Sequence, residues 1–341
     1  MPISELLTKA CPSTRSRVRR EILGESRAAD EVKALQAEIL QDGAVKDILA
    51  AQDSDGWIFQ VFHGYESMES AVRVLCEKDL DPENASFSKA LTALKVYPDR
   101  LQRGIGKVGP ILDDDGFGGS QTIRAFLLAQ AGKGDSPLVQ SQIPGALDAF
   151  RAVLERDAVE DFIERYRGKF VYRDGVVWPS IYHLRLLAFT ESWHSPQNQA
   201  TLAEAVSRLV KWSPLPAVYV RHRSQLIAPT SFGMGDFTPD LDALDDPGWM
   251  IWFQRMELLS RLGVLAAVPG LVAQADRLVE ILGEGGGWFT LALSHPYFRK
   301  WGAYTGLMLE KDWRKPERRT YDLTFRSLLI LNYCGFQTDC W

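Results

Sequence analysis

Apolar residues recur along this chain with the period of a helix, most clearly in WMIWFQRMELLSRLG over residues 249–263. Trp249, Trp252, Phe253, Met256 and Leu259 fill one stripe, while Met250, Ile251, Leu258 and Leu262 cover most of the remaining circumference. A helix apolar on nearly all sides is expected inside other helices. Gln254, Glu257 and Arg261 leave a narrow polar line, and Gly263 is placed to cap the C-terminus. Other stretches share this logic: GSQTIRAFLLAQAG (119–132), PSIYHLRLLAFTES (179–192), TYDLTFRSLLILNYCG (320–335) and, more weakly, YESMESAVRVLCEKDL (65–80). The strong copies recur at intervals of about 50 to 70 residues, which suits a repeat of helix pairs better than one of strands.

A second signature supplies the other half of the repeat. AVKDILAAQDSDGW closes a helix in a Gly-Trp turn at Gly56 and Trp57, and LVEILGEGGGW closes the same way at Gly287 and Trp288. Amphipathic stretches over 144–154 and 197–212 read as outer partners of the buried helices. The first forty residues read as two polar helices, 13–23 and 30–40, forming a cap. Residues 212–247 carry Pro214, Pro216, Pro229, Pro239 and Pro247, too many breakers for a helix, and 295–319 is a second irregular connection. No run of alternating residues bounded by turn signals stands out, so no sheet is expected.

With 341 residues and 46% hydrophobic positions, the chain can bury one large core or two ordinary ones. A net charge of −5 argues against nucleic acid as the main partner, since phosphates are contacted chiefly by Lys and Arg. The one basic stretch, Arg15, Arg17, Arg19 and Arg20, is flanked by Glu21, Glu25 and Asp30 and reads as a solvated helix face. No apolar run spans a bilayer, and MPISELLTKACPS lacks the core of a signal peptide, so the expected compartment is the cytoplasm. Cys11, Cys76, Cys334 and Cys340 follow no disulfide or C-x-x-C spacing and read as free thiols.

Helix pairs with a buried helix after a Gly-Trp turn resemble the α/α toroid of terpenoid cyclases and protein prenyltransferases, whose repeats carry a Gln followed by Gly and an aromatic. Gln52, Gly56 and Trp57 match that repeat, and Gly287 and Trp288 match it without the glutamine. VRREILGESRAADEVKALQAEI, VWPSIYHLRLLAF and TYDLTFRSLLILNYCGF also resemble uncharacterised bacterial prenyltransferase-like repeat proteins, over most of residues 15–336. The resemblance implies an all-α helix-pair barrel over residues 44–341 behind an N-terminal cap of 1–43, with a central aromatic-lined cavity. It carries over no activity. The D-x-D-D acid of class II cyclases is unmatched by Asp240-Leu241-Asp242-Ala243-Leu244-Asp245-Asp246, and the Asp, Cys and His zinc set of prenyltransferases has no counterpart.

Two acidic clusters are candidates for chemistry. Asp113, Asp114 and Asp115 either share a proton or a cation, or stabilise the start of the helix that follows. Asp240, Asp242, Asp245 and Asp246, with Asp236, precede Trp249 and Trp252. An acid above aromatic faces suits alkene protonation, two carboxylates across a cleft suit glycoside chemistry, and a solvated proline-rich loop is the plain alternative. Tyr182 and His183 lie beside Arg185 on an expected buried helix, where a hydrogen-bonded core histidine is the plain reading. Asp322 and Arg326, four apart, form either a structural pair or a polar contact to ligand. Tyr304, with Trp288, Tyr297 and Trp301, is a further candidate for lining a pocket. No HExxH or similar metal spacing occurs, GEGGG at 283–287 is not a phosphate loop, and no cofactor is singled out. The functional expectation is a protein that binds a small, largely apolar molecule, an isoprenoid among the candidates, with an aspartate of 240–246 as acid. The alternatives are a carbohydrate-active α/α barrel and a non-catalytic interaction module.

Overall fold

A computed structural model describes residues 2–336; Cys340 lies outside them. In chain order its first helices are α1 (Pro2–Lys9), α2 (Pro12–Arg17, continued by a π turn at Val18–Ile22), α3 (Asp30–Ile39), α4 (Gly43–Ala50), α5 (Met68–Glu77) and α6 (Ala85–Val96). Then come α7 (Val108–Asp114), α8 (Ser120–Gln130), α9 (Pro137–Gln140), α10 (Ile143–Ala152), α11 (Ile181–Ala188) and α12 (Pro196–Trp212). The last are α13 (Asp246–Arg261), α14 (Pro269–Glu284), α15 (Pro296–Arg299) and α16 (Pro316–Tyr333). No helix among the described residues is long and apolar enough to cross a membrane.

The five stretches read as buried helices are α5, α8, α11, α13 and α16. Burial is unbroken from Met68 to Leu75 in α5, from Ile181 to Leu187 in α11 and from Tyr321 to Leu331 in α16. In α12, by contrast, Leu202, Ala205, Val206 and Leu209 alone are buried, one stripe of an outer helix, and that helix packs against α10. Gly132, Gly263 and Gly335 end α8, α13 and α16 at φ +74°, +70° and +79°, the left-handed cap that only glycine adopts cheaply.

The chain divides into two compact units. One gathers the residues up to Pro98, then Leu244–Glu257, then those from Ala275 on; the other comprises Asp99–Ala243 and Leu258–Gln274. In the first, Leu6, Cys11 and Val18 from the opening helices share a core cluster with Leu309, Tyr321, Phe325, Leu328 and Leu329. In the second, α8 packs on α11, and α11 on α10.

Helix makes up 56% of the described residues, so the fold is mostly helical as expected, but the expectation that it has no sheet is corrected by four strands in the second unit. They are β1 (Ile163–Tyr166), β2 (Lys169–Tyr172), β3 (Val218–His222) and β4 (Gln225–Pro229), in that spatial order. β1–β2 and β3–β4 are antiparallel hairpins, and β2 runs parallel to β3. Strands this short carry too few alternations to register as a pattern. Their two-residue turns place Arg167 and Arg223 at φ +50° and +55°, where Asn or Gly would ordinarily signal a hairpin.

The Gly-Trp turn shows why its residues go together. Gly56 has φ +95° and Gly287 φ +94°, and Trp57 is wholly buried. Gln52 clamps the first turn, its Nε2 donating to Gly56 O at 3.0 Å and to Ser86 O at 2.8 Å. A Cβ on Gly56 would lie 2.6 Å from Lys89 O. Gly56→Ala is therefore expected to destabilise the protein by roughly 2–4 kcal/mol, from backbone strain and the clash together. An unchanged midpoint in guanidinium unfolding would show that the turn relaxes at no cost.

Candidate functional site

Charged groups taken out of water are costly unless paired, so the charges on the buried helices mark where polar chemistry is held inside. Each of the five carries an arginine one to three residues before a leucine: Arg73, Arg124, Arg185, Arg255 and Arg326. All are at most 9% exposed. The recurrence is present in the sequence, but a lone cation in an apolar stripe carries no signal in hydrophobic periodicity. Their partners differ. In the second unit Arg124 donates to Gln121 Oε1 at 2.5 Å, and Arg185 lies over the rings of Phe126 and Tyr182.

In the first unit Arg73 donates to the carbonyls of Gly302 and Ala303 and lies over the Trp301 ring. That segment continues into Tyr304, whose carbonyl accepts from Gln254 Nε2 on α13 at 3.0 Å. Residues 302–304 are thus fastened from α5 on one side and α13 on the other. Against the Tyr304 ring stands His63, edge-on at 5.7 Å between centroids. His63 Nδ1 is 2.6 Å from Glu69 Oε2, and the Glu69 side chain, one turn before Arg73 on α5, is completely buried. A carboxylate at Nδ1 fixes the ring's tautomer and orientation, the arrangement of a histidine used for proton transfer. Of these, Tyr304 is a candidate the sequence names; His63 and Glu69 are not, since neither falls in a spaced motif.

A buried ionic network adjoins α5 within the same unit. Arg17 Nε, Nη1 and Nη2 reach Glu21 at 2.5 Å, Glu77 at 2.6 Å and Glu257 at 3.2 Å. Arg326 reaches Glu77 at 2.7 Å and Glu257 at 2.8 Å. Burial would raise the Glu77 carboxyl, but the Arg326 and Arg17 guanidiniums outweigh it and hold the group at about 2.

Asp322 does not bond Arg326, four residues on. Its Oδ2 accepts from Leu309 N and Glu310 N, both at 3.0 Å, and from Trp313 Nε1 at 2.5 Å. Oδ1 is buried with no hydrogen-bond partner among the described residues. Burial, then the Glu310 carboxylate, push Asp322 up to about 7. Glu310 is raised by burial too, although it accepts from Cys11 N at 2.6 Å and meets Arg318 at 3.2 Å.

Tyr182 and His183 are buried on α11 in the second unit. His183 Nδ1 accepts from Ser180 N at 3.3 Å, capping its own helix, and burial lowers the ring to about 4, so it is neutral at physiological pH. Asp113 accepts from the backbone N–H groups of Gly119, Gln121 and Thr122, the helix-start role set out for the first acidic cluster.

The second acidic cluster is likewise occupied with backbone. Asp240 accepts from Asp242 N at 3.1 Å, and Asp245 from Gly248 N at 2.8 Å in the first turn of α13. Asp246 fastens the loop beyond α14 through Ser294 N at 2.7 Å and His295 N at 2.9 Å. Asp242 is exposed on a short turn. Trp249 and Trp252, both nearly fully buried, pack edge-to-face with each other at 5.3 Å and, with Phe253 and Phe289, form an aromatic cluster in the core. Cys11, Cys76 and Cys334 are free, and burial raises all three thiols. No group of three or more His, Cys, Asp or Glu among the described residues is arranged to hold a metal ion.

The chain matches no family model, no curated protein and no solved structure in the comparisons made with them.

The raised Asp322 carboxyl has a stability consequence. Its native value lies above the unfolded one, 3.8, so between about pH 4 and 7 the native state holds a proton that the unfolded chain has lost. This group's contribution therefore favours folding most below pH 4 and falls by up to roughly 1.4 kcal/mol per pH unit as pH rises to 7. Asp322→Asn keeps an acceptor oxygen and cannot ionise. Urea unfolding at pH 5 and pH 7.5 should show wild type losing stability relative to the variant at the higher pH; parallel behaviour would place the Asp322 carboxyl in its ordinary range.

Proposed function

We propose that the chain is an α/α toroid of helix pairs, terpenoid-cyclase-like, that binds a small molecule with an apolar body and an anionic head. The group formed by His63, Glu69, Arg73 and Tyr304 is the site on this reading. The observation that carries it is the His63 and Glu69 pair at 2.6 Å, with Glu69 buried on a repeat helix one turn from an arginine. Arg73, steadied by two carbonyls and an indole, suits bidentate recognition of a phosphate. His63 serves as the proton donor or acceptor, Glu69 orients it, and Tyr304 bounds the ligand. The recurrence of buried helices and the Gln52-clamped Gly-Trp turn support the toroid; the backbone roles of Asp240, Asp245 and Asp246 move the assignment of the acid from that loop to His63.

Thermal unfolding with geranylgeranyl diphosphate, geranylgeraniol and inorganic diphosphate tests the reading. The diphosphate ester should raise the midpoint by several degrees, with the alcohol and the inorganic ion each giving less. Products extracted after incubation should fall by about 100-fold or more in His63→Ala, with binding retained. If no isoprenoid diphosphate stabilises the protein, the reading fails.

A further inference from the structure

In the second unit the two hairpins of the sheet are joined by a parallel pairing only two residues long, Phe170 with Val218 and Val171 with Tyr219. Past that point β2 and β3 part, and a cleft of about 510 Å³ opens between the strand ends. Residues 172–177 line it from the β2 side, residues 220–223 from the β3 side, and residues 114–117 from the end of α7 and the turn after it. The volume falls in the range of small-molecule sites, about 300–1,000 Å³.

The lining combines three kinds of group. Phe117 and Tyr172, packed together with ring centroids 4.8 Å apart and each nearly buried, give an aromatic floor of which a small part is open. Arg221 is fixed across the fork by Glu164 at 2.8 Å and Asp174 at 2.9 Å, so it serves the architecture. The side chains of His222, Arg223, Asp114 and Asp115 also line the cleft and have no hydrogen-bond or ion-pair partner among the described residues.

This mixture narrows the occupant. A wholly apolar ligand would strip water from charges it cannot satisfy. A bare inorganic anion would leave the aromatic floor unused and would meet the aspartates. Carboxylates are acceptors for hydroxyl groups, an aromatic floor suits the C–H groups at one edge of a pyranose ring, and a guanidinium takes an anionic substituent. We propose that the cleft binds a saccharide bearing an anionic group, the anion held by Arg223 and His222 and the hydroxyls by Asp114 and Asp115. This inference is independent of the isoprenoid reading, which concerns the first unit.

Titration calorimetry on the full chain, with trigalacturonate, glucose 6-phosphate, maltotriose and inorganic phosphate in parallel, tests it. At least one of the two anionic sugars should bind, with the neutral trisaccharide and inorganic phosphate about tenfold weaker or more. Which sugar binds tells carboxylate from phosphate recognition. Arg223→Ala and Asp115→Asn should each weaken that binding by about tenfold, as loss of one charged hydrogen bond predicts, and should leave the thermal midpoint unchanged because both side chains are exposed. The proposal is overturned if neither anionic sugar binds, if maltotriose or phosphate binds equally well, or if both variants bind as wild type does.

Discussion

Everything in the first unit is arranged around one demand: two guanidiniums and three carboxylates that have left water must find one another. Arg17, Glu21, Glu77, Glu257 and Arg326 come from the second helix and its π turn, from α5, from α13 and from α16. Each ion carries a desolvation cost of several kcal/mol that only good pairing offsets. A network of this kind is better suited to fixing the register of helices than to adding net stability. A slip of one residue along α16 would separate Arg326 from both glutamates at once.

The site proposed in that unit depends on the same register. α5 carries Glu69 and Arg73 toward residues 302–304 and His63, and ends in Glu77 at the network. Fixing one end of the helix therefore places the other. The opening helices belong to this arrangement, since Arg17 supplies half its positive charge and Leu6, Cys11 and Val18 pack with α16.

The helices were legible because their signal is long. Eleven consecutive buried positions in α16, or the indole-rich face of α13, exceed what a loop or a short strand would carry. The sheet was not legible. Its strands are four or five residues long, and each of its turns opens on an arginine in a conformation that sequence seldom assigns to it, with Gly168 completing the first. The candidate residues divided in the same way. Tyr304 and Asp322 could be named from their surroundings, but the partners of Asp322 are backbone N–H groups, which have no sequence signature. His63 and Glu69 meet through a tight bend rather than a helical turn, with Glu66 between them at φ +44°. The acids of 240–246 drew notice as a cluster, whereas in space they act singly on different amides.

The first unit is assembled from three stretches of chain, and the second lies almost wholly within one of the intervals between them. On a ribosome the second unit can therefore close while synthesis continues. Arg17 meets Glu21 and then Glu77 early, but the network closes only with Glu257 and Arg326, after roughly 300 residues of elongation, on the order of 15 to 60 seconds at about 5 to 20 residues per second. For that interval the nascent chain displays the bared side chains of Leu6 and Val18, which pack with α16 once the unit closes, the kind of surface that chaperones bind.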